Sequence, residues 1–275
     1  MILITNDDGY SSPGIVSLFK AAYSVNEEVE VVAPLEQKSA SGMATTQRKP
    51  MRMEKRYIFG KEIYGISGNP ADAVLISLGY LLRDKDVRMI LSGINAGPNM
   101  GIDAPYTSGT LSAALMGAFH GIRGIAFSMV VEDMFNPSEV MFTAGIPYSA
   151  FIVGRLMENG FPDGVDVLNI NFPRAINENT RMRVVPLSGK PLYRRKIERI
   201  RNSGKTMEFQ NILSIDTDLL ENRDDDISTV FGDGNISITP INLHGREIDP
   251  GETESILGDR MTRSAIHDLL DLREH

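Results

Sequence analysis

The first 175 residues alternate between short apolar runs and amphipathic stretches. Ile2–Thr5, Val29–Pro34, Val87–Leu91, Gly124–Met129 and Val167–Phe172 are runs of four to six residues, too short for helices and suited to buried strands. Between them the apolar spacing changes to that of a helix. Ile15, Leu18, Phe19 and Ala22 follow Ser12 and Pro13, an N-cap and a first helical position. Val74, Leu75 and Leu78, with Leu81 or Leu82, form a second stripe behind Ser67–Asp72. Leu111–Phe119 is rich in small residues, and Ser138–Glu158 reads as a helix interrupted near Gly145-Ile146-Pro147. Arg52–Ile66 reads as two extended arms with a tight turn at Gly60-Lys61. Strand, loop, helix and strand in repetition predict an α/β protein with a doubly wound, mostly parallel sheet.

After Pro173 the pattern changes. Met182–Leu187 and Leu192–Ile200 read as extended, and Thr206–Gln210 returns beyond a turn at Asn202-Ser203-Gly204-Lys205. This predicts a long hairpin with a basic rim of Arg194, Arg195, Lys196 and Arg199. Leu219–Ser228 reads as a helix, Ile236–Ile241 as a strand and Ser264–Leu272 as a short amphipathic helix.

Composition removes several function classes. A formal net charge of -8 argues against a general nucleic-acid coat or a polybasic membrane anchor. The chain has no cysteine, which excludes disulfides, a thiolate zinc site and a thiol nucleophile. No segment approaches the ~20 apolar residues of a membrane span, and the amino terminus lacks the pattern of a signal peptide. The expectation is a cytoplasmic protein without membrane or nucleic-acid polymer partners.

The candidate chemistry lies in the loops after the strands. Asn6-Asp7-Asp8-Gly9 follows the first strand directly. Adjacent carboxylates there repel each other and resist desolvation unless a cation or water relieves them. Their oxygens suit a hard ion such as Mg²⁺ or Mn²⁺. Asp-Asp-Gly is equally good turn chemistry, and these residues alone leave both readings open. The loop Leu35–Thr46 carries Ser39 and Ser41, hydroxyls that could face the acidic pair. Ser92–Gly101 holds Asn95 and Asn99 among glycines, which allow close backbone approach to a ligand. Ser108-Gly109-Thr110 opens a helix, which reads as a phosphate cradle or as a simple cap. Other motifs fail. Gly204-Lys205-Thr206 ends like a P-loop, but Arg199 stands where its first glycine belongs. No G-x-S-x-G elbow is present, and His120, His244, His267 and His275 are not spaced as a metal pair.

Taken in order, ITNDDGY at 4–10, SPG at 12–14, VVAP at 31–34, Ser39, NPAD at 69–72, SGINAGPNMG at 92–101, YTSGT at 106–110, LNINFP at 168–173 and ISITPI at 236–241 closely resemble the survival protein SurE family. The chain departs from the family pattern at Asn69, Ala73 and Glu36-Gln37-Lys38. The resemblance implies a metal-dependent phosphatase acting on nucleoside 5′- and 3′-monophosphates, in some members also on short polyphosphate. It implies one divalent ion per subunit (Mg²⁺, Mn²⁺ or Co²⁺), with Asp7, Asp8, Ser39 and Asn95 as ligands. Asp7 and Asp8 are the catalytic candidates, and Asn99, Ser108, Gly109 and Thr110 the phosphate-binding ones. It also implies a Rossmann-like core over 1–175. Residues 176–275 would supply the hairpin, returning strand and terminal helix for homodimer or homotetramer contacts. The rival reading is a nucleotide-binding sensor or assembly module that uses the same site without turnover.

Overall fold

The computed structural model describes residues 1–203, 206–216, 218, 224–245 and 247–261. Among the described residues, nine strands form one sheet in the order β3-β4-β2-β1-β5-β6-β7-β11-β8. The strands are β1 (Ile2–Thr5), β2 (Val29–Pro34), β3 (Met53–Ile58), β4 (Lys61–Ile66), β5 (Met89–Ala96), β6 (Gly124–Met129), β7 (Val167–Phe172), β8 (Met182–Val184) and β11 (Ile236–Ile241). The central run β4-β2-β1-β5-β6-β7 is parallel. β3 runs antiparallel to β4, and β11 antiparallel to β7. β8 and β11, from beyond residue 175, thus extend the same sheet.

The chain winds from β1 to β2 and β4 on one side, then returns to β5 on the other. The strand order therefore reverses between β1 and β5, the place where open α/β sheets bind ligands outside their carboxyl ends. Strand alternation divides the core into two layers. Ile2 and Ile4 face one layer, with Ile15, Leu18 and Phe19 of α1 (Pro13–Tyr23) and Ile152, Val153 and Leu156 of α6 (Gly145–Asn159). Leu3 faces the other, with Val74 of α2 (Pro70–Ile76) and Ala113 and Met116 of α4 (Gly109–Phe119). Burial on both faces explains why β1, β6 and β7 read as mostly apolar runs, broken only by Thr5, Ser128, Asn169 and Asn171.

Several local expectations shift. The hairpin turn is Phe59-Gly60 rather than Gly60-Lys61: Ile58 pairs with Lys61, and both turn residues have positive φ, 47° and 77°. β5 does not stop at Leu91 but continues to Ala96, because Ile94 is fully buried and Asn95 and Ala96 pair with Ser128 and Met129 of β6. The register slips between Ser92 and Asn95, so the strand end is irregular. A four-residue helix, α3 (Ala104–Thr107), precedes α4, and α5 (Glu139–Phe142) precedes α6. α7 (Pro250–Leu257) was not expected; Asp249 accepts from Gly251 N at its start, ahead of Pro250. The hairpin is present as β9 (Tyr193–Ser203) and β10 (Thr206–Ile215), a separate two-stranded sheet. Residues 204 and 205 of its expected turn, residues 219–223 of the expected Leu219–Ser228 helix, and the expected helix Ser264–Leu272 lie outside the described residues. Within the described part, Ser228–Gly232 is a π-helical turn.

Candidate active site

Asn6 shapes the loop that follows β1. Its side chain, fully buried, donates to Gly9 O at 2.9 Å and Ser12 Oγ at 2.8 Å, and accepts from Gly9 N at 3.2 Å. Ser12 Oγ then accepts from Ile15 N at 3.4 Å and caps α1. This closure holds Asp7 and Asp8 at the carboxyl end of β1. Asp7 is buried, 5 % exposed, and its Oδ1 accepts from Thr110 Oγ1 at 2.5 Å. Asp8 is half-buried; its Oδ2 accepts from Ala96 N at 3.1 Å and its Oδ1 from Gln37 Nε2 at 3.2 Å. The two carboxylates are therefore held by groups from α4, β5 and the loop after β2.

Neither carboxylate has a cation beside it among the described residues. Burial, then the charge of Asp8, pushes the Asp7 carboxyl up to about 7, while the Thr110 hydroxyl pulls the other way. Burial also raises Asp8, opposed by its hydrogen bonds from Ala96 N and Gln37.

The remaining expected residues fall into distinct settings. Ser39 is exposed in a turn closed by Ser41 N donating to Lys38 O at 3.2 Å. Lys38 N donates to Asp7 O at 2.7 Å and ties this turn to the acidic pair. Asn95 is the second-last residue of β5, and its Nδ2 donates to Gly97 O at 2.7 Å, so its oxygen is the atom left for a ligand. Ser108 Oγ accepts from Leu111 N at 3.0 Å and caps α4. Gly109 lies directly against Asp7: a Cβ there would sit 2.8 Å from Asp7 Cβ and 2.9 Å from Ser41 Oγ. Asn99 sits apart, over the carboxyl ends of β6 and β7. Its N donates to Asn171 Oδ1 at 2.8 Å, and its Nδ2 to Ser128 Oγ at 2.8 Å.

Sequence reasoning missed Gln37, Ser128, Asn169 and Asn171. The two asparagines had a visible signal: they occupy alternate positions in Val167–Phe172, a run otherwise apolar, and so share one face of the strand.

Among the described residues, no three His, Asp or Glu side chains converge on a metal position. The oxygens around the pair are two carboxylates without a neighbouring cation among the described residues, the carboxamide of Asn95, whose neighbour Ala96 meets Asp8 through its N–H, and Ser41 Oγ, which is buried without a hydrogen-bond partner, while the hydroxyl of the expected ligand Ser39 lies in the exposed turn beside it. Such a set fits a hard divalent ion with neutral oxygens completing its shell.

The fold and the position of this site define a doubly wound α/β protein with an acidic centre at its topological switch point. A family profile described as survival protein SurE matches residues 2–193, and the chain belongs to that family. It is 40 % identical over 257 residues to the 5′-nucleotidase SurE of Picrophilus torridus, covering 94 % of this chain and 96 % of that protein. It is 33 % identical over 249 residues to the 5′-nucleotidase SurE of Methanocella arvoryzae, covering 88 % and 91 %. Among solved structures, the SurE protein from Aquifex aeolicus superposes with a TM-score of 0.71 at 30 % identity, covering 90 % of this chain and 94 % of that one.

Proposed function

We propose that this chain is a metal-dependent phosphomonoesterase that hydrolyses nucleoside 5′-monophosphates, and also 3′-monophosphates and short polyphosphate. Membership of the SurE family and relatives named 5′-nucleotidase SurE support the nucleotidase reading. The observation that carries the chemistry is the Asp7-Asp8 pair, desolvated at the switch point with no basic side chain to balance it among the described residues.

In this reading Asp7, Asp8, Ser39 and Asn95 hold one divalent ion. A bound Mg²⁺, Mn²⁺ or Co²⁺ would supply Lewis acidity, acidifying water and offsetting charge on the phosphoryl group. Asp8, the more accessible carboxylate, orients and deprotonates the attacking water. Thr110 holds Asp7 in place through its hydroxyl. The free N–H groups at the start of α4, around Gly109 and Thr110, bind phosphoryl oxygens, helped by the helix dipole. The Asn99 carboxamide donates to another of these oxygens.

The proposal is tested by a panel of 5′-AMP, 3′-AMP, other nucleoside monophosphates and tripolyphosphate, assayed with Mg²⁺, Mn²⁺ and Co²⁺. Release of phosphate from 5′-AMP only with a divalent ion is expected. Tight nucleotide binding without phosphate release under every condition would overturn it. Stereochemistry at phosphorus distinguishes a rival route through an aspartyl phosphate: one direct attack by water inverts a chiral phosphoryl group, whereas two successive displacements through the carboxylate retain its configuration.

A further inference from the structure

Asn99 is held more completely than its place in a glycine-rich loop would lead one to expect. Its N–H donates to Asn171 Oδ1 at 2.8 Å, and its carbonyl accepts from Asn171 Nδ2 at 3.2 Å. One carboxamide thus grips both backbone groups of one residue, as a neighbouring strand would. The Asn99 carbonyl also accepts from Asn169 Nδ2 at 2.8 Å. Its side chain is fixed as well, by Nδ2 donating to Ser128 Oγ at 2.8 Å.

The three gripping side chains are fully buried, on β6 and β7, which are buried along their whole length. Ser128 is directly opposite Asn171 in the ladder, and Asn169 is two residues before Asn171, so all three share one face of the sheet. Burying two carboxamides and a hydroxyl in an apolar sheet is costly unless they are hydrogen-bonded. Here their bonds converge on a single loop residue. The neighbouring loop atoms are tied elsewhere: Gly97 N donates to Met129 O at 2.8 Å and Gly101 N to Asp226 Oδ2 at 2.8 Å. Asn99 is therefore fixed in backbone and rotamer, with Oδ1 and the second Nδ2 hydrogen left for a ligand.

We propose that Asn171 and Ser128 are positioning residues that aim the Asn99 carboxamide at the phosphoryl group; this rests on the phosphatase reading above. Asn171 sets the backbone of Asn99, and Ser128 selects which amide hydrogen remains free. Neither touches the substrate. Preorganised donors of this kind need no rearrangement as charge develops on the phosphoryl oxygens.

The test is a double-mutant cycle on the full chain with Mg²⁺ and 5′-AMP, read together with inorganic phosphate affinity by calorimetry. Ser128→Ala releases the Asn99 side chain. Asn171→Asp keeps an acceptor for Asn99 N but loses the donor to its carbonyl. Each is expected to lower kcat/KM and phosphate affinity by at least about tenfold while Mg²⁺ affinity stays within about twofold. In an Asn99→Ala background, Ser128→Ala is expected to cost less than about twofold more, because its effect passes through Asn99. Wild-type phosphate affinity in folded Ser128→Ala, an undiminished loss in the Asn99→Ala background, or an equal loss of Mg²⁺ affinity would overturn the proposal. Should Asn171→Asp fail to fold, the Ser128→Ala cycle decides alone. Failure of the wild-type protein to release phosphate would instead reject the phosphatase reading, and the cycle on phosphate affinity would still decide the positioning role.

Discussion

The Thr110 hydroxyl donates to Asp7 Oδ1 at 2.5 Å, linking residues 103 positions apart at the start of α4 and the end of β1. Both are buried. The bond favours the ionised form of Asp7 against burial and against the charge of Asp8. Thr110→Val keeps the shape and removes the donor. We expect kcat/KM and Mg²⁺ affinity to fall about 10–100-fold, with a stability loss of about 1 kcal/mol. Steady-state kinetics with 5′-AMP and calorimetric Mg²⁺ titration check this. Unchanged values in a folded variant would remove Thr110 from the site.

Gly109 opens α4. A helical glycine replaced by alanine ordinarily gains up to about 1 kcal/mol. Here the added Cβ would meet Asp7 Cβ at 2.8 Å and Ser41 Oγ at 2.9 Å. Gly109→Ala is therefore expected to lose about 1–3 kcal/mol by overpacking and to weaken Mg²⁺ binding. Urea unfolding checks the sign: a stabilised variant would show that the acidic loop moves freely away from α4.

Asp226 anchors the loop that carries Asn99. It accepts from Gly101 N and Ser188 N, each at 2.8 Å, yet burial pushes its carboxyl up to about 6, from an ordinary value of 3.8. An acid with a raised folded-state pKa contributes its stability below the unfolded pKa and loses it as pH rises through the folded one. The stability of the wild type relative to Asp226→Asn should fall by roughly 2–3 kcal/mol between pH 4 and pH 7. Urea unfolding of both proteins across this range measures it; a gap that does not change with pH would contradict the prediction.

The hairpin bears on assembly. Ile197 lies opposite Asn211, and Phe209 and Leu213, two positions to either side, share its face. These three apolar side chains are 63 %, 59 % and 49 % exposed. Two-stranded hairpins are marginal in water without a surface to pack on. We expect a homodimer or homotetramer with the hairpin in its interface, and dissociation to smaller species in Phe209→Asp and Ile197→Asp. Sedimentation velocity at micromolar concentration decides; a monomeric wild-type protein would reject it.

The sheet was legible because strands buried on both faces cannot carry polar residues freely. Ile2–Thr5 and Gly124–Met129 stand out from the sequence for that reason. Ser12 and Pro13 announced α1 through capping chemistry, which is local. What depends on tertiary partners was not legible. Nothing near Thr110 indicates that its hydroxyl reaches Asp7, and nothing near Asn171 indicates that it grips Asn99. The strand order, which brings Asp8 beside Ala96, is also invisible locally. Ser92 and Gly93 read as a loop that closes β5 at Leu91, although Ile94 returns to the core. α7 offered a start signal at Asp249-Pro250 but only a thin apolar stripe, in which Leu257 is buried.

We propose above that Asp7 and Asp8 form a metal-dependent phosphatase site. Its most direct test is phosphate release from 5′-AMP by metal-stripped protein in excess EDTA, before and after Mg²⁺ is restored, with Asp8→Asn beside the wild type. We expect no release in EDTA, full recovery with Mg²⁺, and a rate at least about 100-fold lower in folded Asp8→Asn. Full activity in EDTA, or an undiminished rate in the variant, would contradict it.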